Sequence, residues 1–158
     1  MEPEEWLGNP GAYPLQLIAN QPKTRLHSQL DIGTTSQNSK IKRREPLRMH
    51  PEDAAARNLS EGDVVRVYND RGSCLAGLVV SPSLRRGVAQ LSTGAWYDPS
   101  PDDASFCRHG NPNVLTADRP ASSLSQAASA QHTLVEVEKW EGKIPRTTVT
   151  HAPTLLPS

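Results

Sequence analysis

Aromatic side chains, cysteines and long apolar stretches are all scarce in this sequence of 158 residues. Aromatic residues make up 4% and apolar residues 35% of the chain, against roughly 45–50% apolar residues in an ordinary globular domain. The length suits one domain, and the low apolar content indicates a domain that packs against something else or carries long polar loops. Lysine plus arginine and aspartate plus glutamate number 17 each, so net charge gives no argument for nucleic acid or an anionic membrane as a partner.

Membrane-spanning and secretory segments are not apparent either. No stretch of about 18 apolar residues occurs, so we expect no transmembrane helix. The acidic N-terminus, Met1–Glu5, lacks the basic and apolar regions of a secretory signal. Cys74 and Cys107 are too few for a disulfide framework, which favours a reducing compartment. We therefore expect a cytoplasmic protein, or a periplasmic one if a longer parent chain carries an export signal.

Short β-strands dominate the pattern along the chain. The clearest element is a hairpin, in which the β-branched run Val64–Tyr68 and the returning strand Cys74–Val80 flank the turn Asn69–Gly72. Met49–Asn58 is predicted as a short helix, because Pro51 suits a first helical position and acidic residues follow it. Further strands are predicted over Leu15–Ala19, Val88–Ser92 and Leu134–Lys139.

The remaining segments are polar and irregular. We predict a mobile excursion over Asp31–Arg44, an ordered or semi-ordered loop region over Trp96–Pro120, and a short helix over Ser122–Ala130. The chain is accordingly divided into an extended N-terminal segment (1–14), a barrel (15–144) and a C-terminal tail that is partly disordered (145–158).

Two loops are dense in amide, imidazole and guanidinium groups. They run over Gln21–Gln29 and Arg108–Thr116, and loops of this kind usually carry function. Asn111 and Asn113 flank a proline, and each amide presents a donor beside an acceptor, as the edge of a pterin or purine does. The alternative is that these residues form turns and caps that satisfy their own backbone.

The combination of motifs, in order, resembles a known family. The motifs are Gln21-Pro22…Arg25-Leu26-His27-Ser28-Gln29, Arg44-Glu45-Pro46, Gly94-Ala95-Trp96-Tyr97, Gly110-Asn111-Pro112-Asn113-Val114-Leu115-Thr116 and Leu134-Val135-Glu136. Together they resemble the C-terminal domain of the dimethyl sulfoxide reductase family, in particular its biotin sulfoxide and trimethylamine N-oxide reductases. The resemblance implies a mainly β fold, a six-stranded double-psi β-barrel with one or two short helices and long polar loops.

The same resemblance implies a bis(molybdopterin guanine dinucleotide) molybdenum cofactor, of which this chain holds a partial site. Arg25 is expected to bind an anionic or carbonyl oxygen, His27 and Ser28 to donate to the dithiolene–pyran part, and Gln131 to lie close to the pterin. Two positions depart from the family pattern, Ala121 where threonine is usual and Ala127 where glycine is usual. Neither is expected to destroy the site, but the methyl that Ala127 adds near a close backbone contact is expected to loosen it. The implied cofactor-binding residues are Asn20, Gln21, Arg25, Leu26, His27, Ser28, Trp96, His109, Asn111, Asn113 and Gln131.

In that family the barrel is the last domain of a longer enzyme, and an upstream serine ligates molybdenum. We therefore expect no catalytic or metal-ligating residue in this chain and no reduction of S-oxides or N-oxides by the chain alone. It is then a fragment, an excised domain or a subunit completed by upstream domains on a separate chain. The alternative is a non-catalytic barrel, a binding or scaffold module that has lost the cofactor.

Three other site types are disfavoured by the residues themselves. Adjacent His27 and Ser28 on extended chain point to opposite faces, which argues against a nucleophile and its base. Cys107 and His109 have no second ligand pair for a structural zinc. The basic run Lys40–Arg44 lacks interleaved aromatics and is interpreted as a solvated loop or one that faced another domain, without nucleic acid or membrane as partner.

Overall fold

The valine-rich hairpin lies at the centre of a mixed β-sheet in the computed structural model, which describes residues 9–120, 122–125, 127 and 132–152. Eight strands form this sheet: β1 Leu15–Ile18, β2 Pro46–Met49, β3 Val64–Asn69, β4 Gly72–Val80, β5 Val88–Leu91, β6 Pro99–Ser100, β7 Asp103–Cys107 and β8 Thr133–Lys139. Two short helices, α1 Thr34–Ser39 and α2 Pro51–Ala55, and a 3-10 turn at Pro112–Val114 complete the described elements.

Six of these strands close into a barrel. Hydrogen-bonded neighbours run in the order β2, β5, β1, β8, β3, β4, and β4 pairs again with β2 to complete the ring. The β1–β5 and β2–β4 pairings are parallel, which requires crossover connections rather than hairpins. β7 and β6 extend outward from β4. The predicted mainly β, six-stranded barrel with one or two short helices is confirmed, and the described residues contain two.

Leucine and valine side chains fill the barrel. β4 is buried continuously from Ser73 to Gly77 and on to Leu78, as expected for a strand with partners on both edges and packing on both faces. Each fully buried leucine or valine contributes about 1.5–3 kcal/mol relative to an exposed one. The core side chains with at most 2% exposure include Leu15, Leu17, Leu47, Met49, Leu75, Leu78, Leu91, Leu115, Val65, Val67 and Val135.

The helix predicted over Met49–Asn58 is shorter than expected. Met49 belongs to β2, where it pairs with Val80 and Ala89 and is fully buried. α2 begins at Pro51, capped by the His50 ring nitrogen Nδ1, which accepts from the backbone of Glu52 at 3.2 Å. The start that Pro51 predicts is therefore confirmed, whereas the helix ends at Ala55 rather than at Asn58. Met49 was grouped with the helix because a lone methionine next to a helix signal does not reveal that it pairs with strands distant in sequence.

The predicted mobile excursion over Asp31–Arg44 is also wrong. α1 lies inside this segment, Ser36 is buried in it, and Lys40 and Arg44 follow at 8% and 3% exposure. The interpretation of the basic run as a solvated loop fails for the same two residues. Both are buried because the structure supplies oxygen acceptors to their charged groups, carboxylates for Lys40 and backbone carbonyls for Arg44.

The loop region and the tail contain more structure than their composition indicates. The region Trp96–Pro120 holds β6, β7 and the 3-10 turn. Residues 122–125 are not helical, and most of the rest of the helix predicted to Ala130 lies outside the described residues. In the tail, Thr147 is buried and Thr148 donates its backbone N–H to Asp98 at 2.8 Å. Residues 1–8 and 153–158 lie outside the described part.

The helices of the described residues contain six and five residues, and none is long and apolar enough to cross a membrane.

Candidate functional site

A surface pocket of about 410 Å³ lies between the loop that follows β1 and the loop that follows β5. Five residues predicted from the sequence line it, namely His27, Ser28, Trp96, Asn111 and Asn113, together with Thr93, Gly94, Ala95 and Tyr97. The two loops identified from their amide and imidazole content therefore meet here, although the first ends at Gln29 and the second begins at Arg108. We call this the His27–Asn113 pocket.

The first wall of the pocket is a tight turn. The backbone N–H of Gln29 donates to the carbonyl of Leu26 at 2.9 Å, and His27 adopts a φ of 51°, in the left-handed region. Strained backbone of this kind is concentrated at functional sites. The amide Nε2 of Gln21 lies 2.9 Å from the His27 ring nitrogen Nδ1. Because the amide nitrogen only donates, Nδ1 accepts, and a neutral His27 carries its proton on Nε2.

The second wall of the pocket consists of residues 93–97. It approaches the first wall so closely that only glycine fits at position 94. Gly94 has a φ of +85°, and a Cβ built there would lie 1.9 Å from the carbonyl oxygen of His27 and 2.9 Å from the backbone nitrogen of Ser28. The indole Nε1 of Trp96 donates to the carbonyl of Ser28 at 2.8 Å. These contacts hold the second wall against backbone groups of the first, so the pocket is preformed.

The third side carries the two asparagines. The Asn111 side-chain oxygen accepts from the Asn113 backbone N–H at 2.9 Å and caps the 3-10 turn. The amide nitrogen of Asn111 donates to no other described residue, so it is available as a donor toward the pocket. Asn113 is exposed, and its side-chain amide makes no hydrogen bond within the described residues. Asn111 is therefore both a cap and a binding group, whereas Asn113 presents a complete donor–acceptor pair to the pocket.

The aromatic pair closes the rim. Trp96 is half-buried and donates its backbone N–H to Asp31 at 2.9 Å. Tyr97 is 46% exposed, and its hydroxyl donates to the carbonyl of Ala104. Trp96 was predicted as a site residue, whereas Tyr97 was noted only in the motif Gly94-Ala95-Trp96-Tyr97; both side chains line the pocket.

Other predicted residues lie away from the pocket lining. Asn20 borders a separate pocket of about 340 Å³ that is also lined by Lys23, Arg48 and Gln90. Leu26 is 62% exposed on the turn. Gln131 and Ala121 lie outside the described residues, and Ala127 is exposed.

Arg25 and His109 lie beneath the pocket rather than in its lining. The Arg25 side chain is fully buried, and its guanidinium donates to the carbonyls of His27 at 3.1 Å and Thr93 at 2.8 Å. His109 is 1% exposed and its Nδ1 donates to the carbonyl of Trp96 at 2.9 Å. In this geometry both side chains act on the pocket walls, which modifies the expectation that Arg25 binds a ligand oxygen directly.

Three buried charged residues around Arg25 were not predicted from the sequence. Asp31, Lys40 and Glu45 surround Arg25, and the Lys40 ammonium lies 2.8 Å from Asp31 and 2.9 Å from Glu45. The only signal for Glu45 was its place in the Arg44-Glu45-Pro46 motif. Nothing in the local pattern around Asp31 or Lys40 indicates burial, because charged residues in a polar segment are normally solvated.

The surroundings of these buried groups favour the ionised form of Asp31 and the neutral form of the His109 imidazole. Burial alone raises the pKa of Asp31, but hydrogen bonds from Lys40 and the Trp96 N–H, with the charges of Lys40 and Arg25, bring that pKa below its usual value. Burial and the nearby Lys40 charge hold the pKa of His109 below its ordinary 6.5. His109 is therefore neutral at physiological pH, with its proton on the nitrogen that donates to Trp96.

Within the described residues, no group of three histidine, cysteine, aspartate or glutamate side chains is placed to hold a metal ion. The polar chemistry of the pocket is that of hydrogen-bond donors and acceptors.

Comparison with known families decides which ligand class this chemistry belongs to. The family described as "Molydopterin dinucleotide binding domain" matches residues 15–134. This chain belongs to that family. The matched range contains the whole His27–Asn113 pocket, and the recognition made from the sequence motifs is confirmed.

The curated relatives are longer proteins, each of which matches this chain over part of its length. Trimethylamine-N-oxide reductase 1 of Escherichia coli (strain K12) is 48% identical over 146 residues, covering 89% of this chain and 17% of the relative. The dimethyl sulfoxide/trimethylamine N-oxide reductase of Rhodobacter capsulatus is 46% identical and the biotin sulfoxide reductase of Cereibacter sphaeroides 44% identical, each covering 90% of this chain. The chain spans less than a fifth of the length of these relatives.

A solved structure shows the same fold. Acetylene hydratase from Pelobacter acetylenicus superposes with a TM-score of 0.64 at 17% identity, covering 81% of this chain and 18% of that protein. The double-psi type of the barrel predicted from the resemblance is confirmed.

Proposed function

We propose that this chain is the cofactor-binding barrel of a larger molybdenum oxidoreductase that reduces S-oxides or N-oxides. The observation that carries the proposal is the convergence of His27, Ser28, Asn111 and Asn113 on one preformed pocket inside the range that matches the family. The printed names of the relatives, which are trimethylamine N-oxide, dimethyl sulfoxide and biotin sulfoxide reductases, support the substrate class.

The donor set fits a bis(molybdopterin guanine dinucleotide) cofactor. A pterin edge carries paired donors and acceptors, and the Asn113 amide offers the complementary pair. The Nε2 proton of His27 and the Ser28 hydroxyl supply donors on the opposite wall. The glycine at position 94 lets these walls meet without a side chain between them. When bound, the cofactor supplies oxygen-atom transfer at molybdenum, while the protein orients it and excludes water.

The chain alone binds a cofactor face and does not turn over substrate. The pocket is open on the surface and carries no cluster of metal ligands within the described residues. The remaining walls and the metal ligand are proposed to come from upstream domains, either of the same polypeptide or of a partner chain.

A titration tests the binding proposal. The full chain is mixed anaerobically with molybdopterin guanine dinucleotide, and the dissociation constant is measured for the wild type, Asn113→Ala and Asn38→Ala. Asn38 is an exposed asparagine on α1 outside the pocket lining, so its variant is the matched control. Weaker binding confined to Asn113→Ala supports the proposal, and equal affinity for all three overturns it in favour of a barrel without the cofactor.

A reconstitution tests the catalytic part. Molybdenum content and dye-linked reduction of biotin sulfoxide, methionine sulfoxide and trimethylamine N-oxide are measured for the chain alone and after mixing with a candidate upstream partner. Activity that appears only on mixing supports a divided enzyme, and inactivity in both cases favours an excised domain. Turnover by the chain alone contradicts the proposal.

A further inference from the structure

Four charged side chains are buried together under the pocket. We call Arg25, Asp31, Lys40 and Glu45 the ion cluster; their side chains are 0%, 1%, 0% and 4% exposed. Lys40 Nζ lies 2.8 Å from Asp31 Oδ1 and 2.9 Å from Glu45 Oε2. Arg25 Nη1 lies 3.1 Å from Glu45 Oε2, and Arg25 Nε lies 3.5 Å from Asp31 Oδ1. Two positive and two negative charges therefore balance.

Stability alone does not account for such a cluster. Removing charges from water costs several kcal/mol for each ion, and replacing a buried ion pair by apolar residues of similar volume is often neutral or stabilising. The adjacent barrel core already contains fully buried leucines and valines. Because the cluster is costly to bury, we expect it to have a role that depends on directed hydrogen bonds and on charge, which apolar side chains cannot supply.

The ion cluster binds backbone groups of the pocket walls. Arg25 donates to the carbonyl of His27 at 3.1 Å and to that of Thr93 at 2.8 Å. Asp31 Oδ2 accepts the backbone N–H of Trp96 at 2.9 Å. His27, Thr93 and Trp96 all line the pocket, and His27 and Thr93 lie on opposite walls. One guanidinium therefore spans both walls, and one carboxylate holds the rim.

We infer that the ion cluster positions the pocket. Lys40 and Glu45 act through Arg25, which sets the separation of the two pocket walls, and Asp31 sets the orientation of Trp96 through its backbone N–H. Lys40 has the central role because it neutralises both carboxylates and leaves Arg25 free to bind the carbonyls. The inference rests on the proposed function of the pocket as a cofactor site. None of these four side chains lines the His27–Asn113 pocket.

His109 completes the layer on the Trp96 side. Its Nδ1 donates to the Trp96 carbonyl at 2.9 Å and lies 3.8 Å from Asp31 Oδ2. Lys40, Asp31 and Asp98 are the charged groups that act on the imidazole. Since the Lys40 charge lowers the pKa of His109 and both carboxylates raise it, removal of Lys40 raises that pKa. A change in the titration of His109 therefore reports the state of the ion cluster.

The test compares Lys40→Met with Val67→Ala in the full chain. Val67 is fully buried in β3 and lines neither pocket, so its variant controls for general loss of stability. We measure the dissociation constant for molybdopterin guanine dinucleotide, the ¹⁵N–¹H resonance of the Trp96 indole, and the His109 titration by NMR. Circular dichroism establishes that each variant is folded. If Lys40→Met does not fold, Glu45→Gln, which keeps the shape of the side chain, replaces it in the binding and indole measurements.

The expected result is specific to the cluster variant. Lys40→Met shifts the Trp96 indole resonance, raises the pKa of His109 and weakens binding by about tenfold, an effect of the size seen when a metal ligand loses its outer-shell partner. Val67→Ala lowers stability and leaves all three readouts unchanged. Equal effects of the two variants, or an unchanged indole resonance in Lys40→Met, overturn the inference. If the wild type does not bind the dinucleotide, only the proposed function is refuted. The Trp96 indole resonance and the His109 titration still test whether the ion cluster sets the geometry of the pocket walls.

Discussion

Gly94 provides the sharpest stability test of the pocket geometry. A methyl group at this position would lie 1.9 Å from the carbonyl oxygen and 2.3 Å from the carbonyl carbon of His27. An ordinary carbon–oxygen contact is about 3.3 Å, so the two walls must separate by about 1.4 Å. The obstacle is backbone rather than a flexible side chain, and Arg25 holds the same carbonyl from below.

Gly94→Ala therefore carries two costs. A left-handed backbone costs an alanine about 1–2 kcal/mol relative to glycine, and overpacking adds about 1–3 kcal/mol. Gly142 has the same φ of +85°, but a Cβ there meets nothing within 4 Å. Gly142→Ala carries only the first cost, so the difference between the two variants isolates the close approach of the walls.

Urea unfolding at equilibrium measures both variants. We expect Gly94→Ala to lose about 1–3 kcal/mol more than Gly142→Ala and to bind molybdopterin guanine dinucleotide more weakly. Gly94→Ala as stable as Gly142→Ala would show that the walls are not held against each other, and the account of a preformed pocket would be wrong.

Two further predictions concern ionisable groups. The pKa of His109 is lower in the folded chain than its ordinary 6.5. As the pH falls, the unfolded chain therefore binds a proton at this imidazole before the folded chain does. The free energy of unfolding keeps its full value above about pH 6.5 and decreases as the pH falls below it. Urea unfolding between pH 7.5 and pH 5 should show that the free energy of unfolding decreases less steeply with falling pH for His109→Gln than for the wild type. The control His151→Gln, at an exposed position, should show the same slope as the wild type. Identical slopes for His109→Gln and the wild type would contradict the assignment. Burial, with the nearby Cys107, raises the pKa of the Cys74 thiol well above 9.0, so a disulfide reagent should label Cys74 only after unfolding, and rapid labelling of the native chain would refute the buried position.

The barrel strands were predictable where the local pattern was strong. Val64–Val67 and the turn at Asn69–Gly72 form a hairpin because β-branched residues and turn residues agree. β2 was missed, since Leu47 and Met49 form a strand only by pairing with β4 and β5 far along the chain. A four-residue strand next to a proline carries no periodicity that separates it from a helix start.

The candidate site was predictable in its residue types and less so in its geometry. His27, Ser28, Asn111 and Asn113 were identified from loop chemistry and family motifs, and they converge. Arg25 lies among the same motif residues, yet its side chain points inward. Its partner Glu45 is 20 residues away, and the burial of four charges follows from tertiary structure that a local pattern does not contain.

The central claim is that the His27–Asn113 pocket binds the dinucleotide cofactor, and Asn113 tests it most directly. Its side-chain amide is exposed and makes no hydrogen bond within the described residues, so Asn113→Ala removes a binding group without removing a structural contact. An anaerobic titration with molybdopterin guanine dinucleotide should show a dissociation constant about tenfold higher for Asn113→Ala, equivalent to about 1.4 kcal/mol, with unfolding unchanged. An affinity equal to that of the wild type would contradict the account.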